Sequence, residues 1–253
     1  MRNATGLVQH AVILGGGSDI AQAVVARLAE GGLARAVLAA RSPIEVVSAW
    51  NRNHGGNHPD LAVHGVHYDT VERGSAAKVL EDAASTADID VVIIAAGMLG
   101  DDSHNHDASA AVDMLETNLI GPAEALIDSI DRLTGQGHGH VVVLSSVAGQ
   151  RARGPLAAYG GSKAGLDALA LGVQDRLAGS SVFITIVRPG FVATKMTAGL
   201  DPAPFATTPE AVADDIVRAM VERRAVVWSP AKLRVVFAVL RLLPGPLWRR
   251  ISG

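Results

Sequence analysis

The stretch HAVILGGGSDIAQAVVARLAEGG, His10 to Gly32, changes its period in the middle. His10 leads four aliphatic residues with no polar alternation, as a strand buried on both faces requires. After Gly15, Gly16 and Gly17 the apolar residues of DIAQAVVARLAEG return at helical spacing. Strand, glycine turn and helix in immediate succession begin a parallel βαβ unit. Glycines in that turn let backbone come close to a pyrophosphate, and the N–H groups and dipole of the new helix favour its negative charge. Gly15, Gly17, Ser18, Asp19 and Ile20 are therefore candidate cofactor-binding residues; a plain glycine turn is the competing reading.

The same alternation continues along the chain. Aliphatic runs recur as RAVLAA near 35–40, LAVHGV near 61–66, IDVVIIAAG near 89–97, GHVVVLSS near 139–146 and VFITIVRPG near 182–190, with helical periodicity between them. Strands at this spacing pair in parallel through right-handed crossovers, with helices on both faces. The fold class expected is α/β: a doubly wound parallel sheet, a three-layer Rossmann fold. One domain over residues 1–228 is expected, followed by a basic, apolar tail over 229–253. Ligands of such sheets bind beyond the carboxyl ends of the strands, where the strand order reverses.

Composition agrees. The 253 residues are 49% hydrophobic and 19% charged, with 27 glycines and 4% aromatics, which suits buried strands under alanine-rich helices rather than disorder. A formal net charge of −3 gives no pull toward nucleic acid. There is no cysteine, so neither a disulfide framework nor a thiolate metal site is available, and a reducing compartment fits. The apolar run near the N-terminus is too short for a signal peptide and is broken by glycines. A cytoplasmic protein, or one peripheral to a membrane, is expected. The histidines of NRNHGGNHPD and DDSHNHD read as solvated loop residues, and no metal site is expected.

Two further segments point to nucleotide chemistry. In AARSP, after the second strand, Ala40 stands where an acid would hold the ribose of NAD, and Arg41 could pair with the extra phosphate of NADP. Asp69, in HYDT after the third strand, is a candidate for the adenine amino group or an ordinary helix cap. In YGGSKAG, Tyr159 and Lys163 lie four residues apart and share a helix face. Alone, that spacing also fits a surface tyrosine followed by a lysine lying along the helix.

Taken together these residues resemble the short-chain dehydrogenase/reductase family over nearly the whole chain. The resemblance places Asn118 of ETNLIGP, Ser146 of VVVLSSVAG, Tyr159 and Lys163 as the catalytic set; Ser146 precedes Tyr159 by thirteen residues, the family spacing. It also implies that Ala96 and Gly97, and Pro189, Gly190, Val192 and Thr194 of VRPGFVAT, contact the cofactor along with Tyr159 and Lys163. Departures are Asp19 and Ala21 in place of two family glycines, and Ala95-Ala96-Gly97 without the usual asparagine. In a ketone reduction a free tyrosine, with a pKa of about 10, gives up its proton reluctantly near neutrality. A nearby Lys163 ammonium and a positive nicotinamide should lower it. Ser146 would bind the substrate oxygen. Lys163 would hold the nicotinamide ribose, and Asn118 would shape a helix kink, as the family implies.

The residues after Glu222 include seven lysines and arginines and no acid. LRVVFAVLRLL is too short for the about 20 residues that span a bilayer, but a basic helix with Phe237, Leu240, Leu243 and then Trp248 could lie on one, or pack on the sheet or a second subunit. SSVAGQRARG, RPGFVATKMTAGL and the tail resemble the members of the family that reduce polyprenyl-phosphate-linked keto-sugars. That resemblance implies NADH as donor, in tension with Arg41, so NADH and NADPH both stay open. It also implies a flavoprotein oxidase as partner and peripheral membrane contact through the tail. Arg151 and Arg153 are candidates for the substrate phosphate or sugar, with exposed loop charges as the competing reading. A reductase of another lipid-like ketone, of 3-oxoacyl or steroid type, would share every catalytic residue, and a non-catalytic nucleotide-binding scaffold is a rival of another class. The segment AAVDMLETNLIGPAEALIDSIDRL and the helix starting near Tyr159 resemble the faces by which the family forms homodimers or homotetramers.

Overall fold

The structure, a computed structural model, describes residues 8–101 and 103–252. Seven parallel strands form one sheet: β1 (His10–Leu14), β2 (Arg35–Ala40), β3 (Ala62–His67), β4 (Val91–Ile94), β5 (Gly139–Leu144), β6 (Val182–Pro189) and β7 (Val226–Ser229). Their order is β3-β2-β1-β4-β5-β6-β7, so the direction of winding reverses between β1 and β4. A crevice opens at that reversal, beyond the strand ends, because the crossovers on its two sides leave in opposite directions.

Each side of the sheet buries its own cluster. Val12 and Leu14 of β1 face helices α3 (Ser75–Ala84), α6 (Gly121–Gln136) and α7 (Ala157–Arg176). Ala11 and Ile13 face α1 (Asp19–Glu30), α2 (Pro43–Trp50) and α8 (Pro209–Glu222). The period-two alternation of a strand thus feeds two apolar layers, which is why the central strands carry no polar face. Between α3 and α6 lie β4, then α4 (Ser103–His106) and α5 (Ala108–Leu115), and α5 runs into α6 through a π-helical turn over Glu116–Ile120. Val112, Leu115 and Ile120 of this segment are exposed.

Three local readings need correction. β7 is a seventh strand not anticipated from the sequence, and it runs to Ser229, past the expected end of the domain at residue 228. Its four residues, VVWS, are too few to show a period, and they merge into the apolar tail. NRNHGGNHPD is not a plain loop: Asn51–Gly55 extends α2 as a π-helical turn, and His54 and His58 stack on the buried Trp50 at 4.5 and 6.4 Å. In DDSHNHD, His104 sits at the start of α4 with Nδ1 3.0 Å from the Asp101 carboxylate. The tail forms α9 (Leu233–Leu242) and α10 (Gly245–Ser252), and among the described residues no helix is long and apolar enough to cross a membrane.

Candidate active site

Gly15 turns the chain out of β1 with φ +101°, and a Cβ there would lie 2.4 Å from the backbone nitrogen of Ala96. Only glycine lets the β1 and β4 ends close the floor of the crevice this tightly. Ser18 caps α1, its hydroxyl accepting from the Ala21 amide at 3.4 Å, while the amides of Asp19 and Ile20 begin the helix without an intrahelical acceptor. The cleft that results has a volume of about 570 Å³. Its walls include Gly15, Gly17, Ser18, Asp19 and Ile20 from the first turn, Arg41 and Asp69 from the ends of β2 and β3, and Ala96, Gly97 and Thr194 opposite. Size, helix N-terminus and flanking cation together suit a dinucleotide.

Pro189, Gly190 and Val192 do not line this cleft. Gly190 donates its N–H to the Ser229 carbonyl at 2.9 Å, tying β6 to β7. The Val192 side chain is buried in the apolar layer under α8, leaving only its backbone for a ligand. Conversely, the cleft includes residues the sequence reading passed over, above all Lys195 and Met98. The Lys195 ammonium lies 3.0 Å from the Asp19 carboxylate, whose other oxygen accepts the Lys195 amide at 2.7 Å. Asp19, unexpected in a phosphate-binding turn, is therefore engaged by the segment after β6, and its charge is offset there. No local sequence signal links positions 19 and 195.

Asn118, Ser146, Tyr159 and Lys163 do not themselves line this cleft; Asn118 and Lys163 lie directly behind its Gly97. Ser146 follows β5 and caps the short 3₁₀ turn Val147–Gly149, its hydroxyl accepting from the Ala148 amide at 3.1 Å. That turn lies directly on α7: a Cβ on Gly149 would meet the backbone of Lys163 and Ala164 at 2.8 Å. Tyr159 and Lys163 stand one turn apart on α7, the tyrosine half-buried with its phenol near Ser146, the lysine 5% exposed. Lys163 Nζ donates to the Leu144 carbonyl at 2.9 Å. Asn118 sits in the π-helical turn and clasps Met98, accepting its N–H and donating to its carbonyl, both at 2.7 Å. A Cβ on Gly97 would lie 3.1 Å from Asn118 Oδ1 and 3.4 Å from Lys163 Nζ, so both groups crowd the same point of the floor.

Burial dominates the electrostatics of the pair. It pushes the Tyr159 phenol above the ordinary tyrosine value, and the neighbouring Ser146 hydroxyl opposes that rise. Burial also lowers Lys163, from 10.5 to about 8. A stability test follows. Between about pH 8 and the ordinary lysine value the unfolded chain binds one more proton than the folded chain, so this group's contribution to stability rises with pH across that window. Urea melts should show the stability of the wild type gaining on that of Lys163→Met from about pH 8 to about pH 10. Parallel profiles would mean that the amine titrates as an exposed lysine.

Arg151 is corrected as well. Its guanidinium donates to the carbonyls of Leu240 and of Leu243, the latter at 2.8 Å, and lies over the Trp248 ring at 4.5 Å. Its donors satisfy the carboxyl end of α9 rather than point at a substrate. Arg153 is exposed.

The profile of the short chain dehydrogenases matches residues 9–204, spanning the glycine turn, Ser146 and the Tyr159–Lys163 pair. The chain belongs to that family. It is accordingly an NAD(P)-dependent oxidoreductase. An uncharacterized oxidoreductase of Mycobacterium tuberculosis is 39% identical over 95% of this chain and 96% of its own length. Another, from Streptomyces coelicolor, is 37% identical over 99% and 98%. Among solved structures, a Burkholderia phymatum short-chain dehydrogenase/reductase in complex with NAD superposes with a TM-score of 0.78 at 19% identity, covering 92% of each chain. A 7beta-hydroxysteroid dehydrogenase gives 0.81 at 18% identity, covering 97% of this dehydrogenase and 96% of that chain. At such identities these structures speak to the fold alone.

Proposed function

We propose that this dehydrogenase reduces the keto group of a polyprenyl-phosphate sugar, decaprenylphosphoryl-2-keto-erythro-pentofuranose, giving decaprenylphosphoryl-arabinofuranose for cell-wall arabinan. The observation that carries ketone reduction is the Tyr159 phenol near Ser146 and one helical turn from Lys163, whose ammonium lies behind Gly97 in the wall of a dinucleotide-sized cleft. The lipid-linked sugar is favoured by the resemblance of SSVAGQRARG, RPGFVATKMTAGL and the basic apolar tail to reductases of that class. It is also favoured by the place of the tail, whose Leu233 packs on Gly190 at the end of β6.

When bound, the nicotinamide cofactor supplies hydride to the carbonyl carbon. Tyr159, whose pKa burial holds high, keeps its proton at neutral pH and delivers it to the carbonyl oxygen as negative charge develops there. Ser146 donates a hydrogen bond to the same oxygen. Gly15, Gly17 and the first amides of α1 would hold the pyrophosphate, Asp69 the adenine and Lys163 the nicotinamide ribose. Arg41, with no acid at Ala40, favours NADPH, whereas the keto-sugar resemblance favours NADH. The keto group must come from oxidation of a 2-hydroxyl, and a flavoprotein oxidase is the partner proposed for that step.

The test is incubation with the polyprenyl keto-sugar and NADH or NADPH in turn, following nicotinamide absorbance and the configuration of the product. Oxidation of one cofactor with formation of the arabino product is expected. Inactivity with both, alongside turnover of a 3-oxoacyl or steroid ketone, would overturn the substrate assignment.

A further inference from the structure

We propose that α9 and the groove beside it dock on an anionic lipid surface. Helix α9 has two outward faces one residue out of step. Val235, Val239 and Leu242, at i, i+4 and i+7, are 69%, 58% and 84% exposed and form an apolar ridge. Arg234, Ala238 and Arg241, at the same spacing one residue earlier, face a groove of about 380 Å³ closed on its far side by Trp228 and Arg188. Arg188 is held by Asp167 through two hydrogen bonds at 2.9 and 2.7 Å, so Arg234 and Arg241 are the cations the groove offers an outside anion. Phe237, Leu240, Leu243 and Trp248, the apolar residues read from the sequence as the interfacial face, are instead half-buried; Leu247 of α10 is exposed, as are Arg249 and Arg250.

The charge balance selects the occupant. From Arg223 onward the chain has seven lysines and arginines and no acid, although the whole chain has a net charge of −3. An apolar ridge beside a row of arginines is complementary to acyl chains beneath anionic headgroups, and a second copy of the same face would set arginine against arginine. The helix is seated for that role. Its first turn packs Leu233 against Gly190, Trp228 meets Phe237 at 6.1 Å, and Arg151 ties down its last carbonyls, so the ridge is held outward on a fixed platform. Leu233 and Arg151 attach this platform to the segments after β6 and β5, the strands whose ends carry Gly190 and Ser146. A lipid surface would therefore lie beside the candidate active site. The inference stands apart from the identity of the ketone, and a failed keto-sugar assay would leave it intact.

Sedimentation of the full chain with phosphatidylcholine vesicles, with and without about 30% phosphatidylglycerol, tests it. Binding to the anionic vesicles is expected, lost in high salt and absent with phosphatidylcholine alone. Arg234→Glu with Arg241→Glu should weaken it at least ~30-fold, and Val239→Glu with Leu242→Glu should do likewise while circular dichroism stays unchanged. All four side chains are exposed, so the variants should fold. Failure of the wild type to bind anionic vesicles, or undiminished binding by either variant, would overturn the proposal. So would concentration-dependent self-association that Val239→Glu with Leu242→Glu abolishes in a chain that ignores vesicles, since the ridge would then belong to a second copy.

Discussion

Tyr159→Phe is expected to lower turnover at least ~100-fold, about 2.7 kcal/mol in the barrier, with cofactor affinity changed less than about threefold. The substitution removes one hydroxyl from a half-buried ring on α7 and leaves the Lys163 ammonium and the α1 N-terminus in place. Only the proton donor is lost, so ketone and nucleotide can still bind. Loss of the phenol's contact with Ser146 should cost about 1–3 kcal/mol of stability at most. Measuring kcat in parallel with cofactor titration separates the two effects. Near-normal kcat would remove the proton-transfer role, and a large loss of cofactor affinity would mean that the phenol serves binding instead.

Asp167→Ala is expected to destabilise the fold by about 3–5 kcal/mol. Asp167 is 4% exposed on α7, one turn beyond Lys163, and takes both hydrogen bonds of the Arg188 guanidinium. Arg188 lies just before Pro189 on β6 and stacks over Trp228 at 5.0 Å. Truncating the carboxylate leaves a largely buried cation with no counter-charge, a far larger loss than that of an exposed pair. Asp167→Asn keeps the shape and one acceptor and should lose less. Because the pair ties the helix bearing Tyr159 to the strand ending at Pro189, the alanine variant should also lose activity under conditions where it remains folded. A shift in the urea midpoint corresponding to less than about 1 kcal/mol would show that the pair contributes little.

The order of strands and helices was legible because period is a local property. HAVIL has no polar face and DIAQAVVARLAEG has a helical one, and each follows from which backbone geometry buries those side chains. The glycine turn was legible for the same reason: only a residue without Cβ can pass Ala96 as Gly15 does. The types and spacing of Ser146, Tyr159 and Lys163 were also on the page, since residues four apart on a helix share a face whatever the rest of the chain does.

What the tertiary structure alone decided involves residues far apart in sequence, or surroundings that no single segment provides. Asp19 meets Lys195 across 176 positions and Arg151 meets Leu243 across 92. Neither contact leaves a periodic trace, because each depends on how separate crossovers end over the same sheet edge. β7 escaped notice because four residues hold too little period to read. The desolvation of Tyr159 and Lys163 was not legible for a related reason: spacing shows that two groups are neighbours, but the solvent removed from around them is set by Ser146, Gly97 and the β5 end. The chain's local pattern thus determined the sheet, the turn and the catalytic side chains, and packing determined which charges are paired, which are dry and what the tail holds.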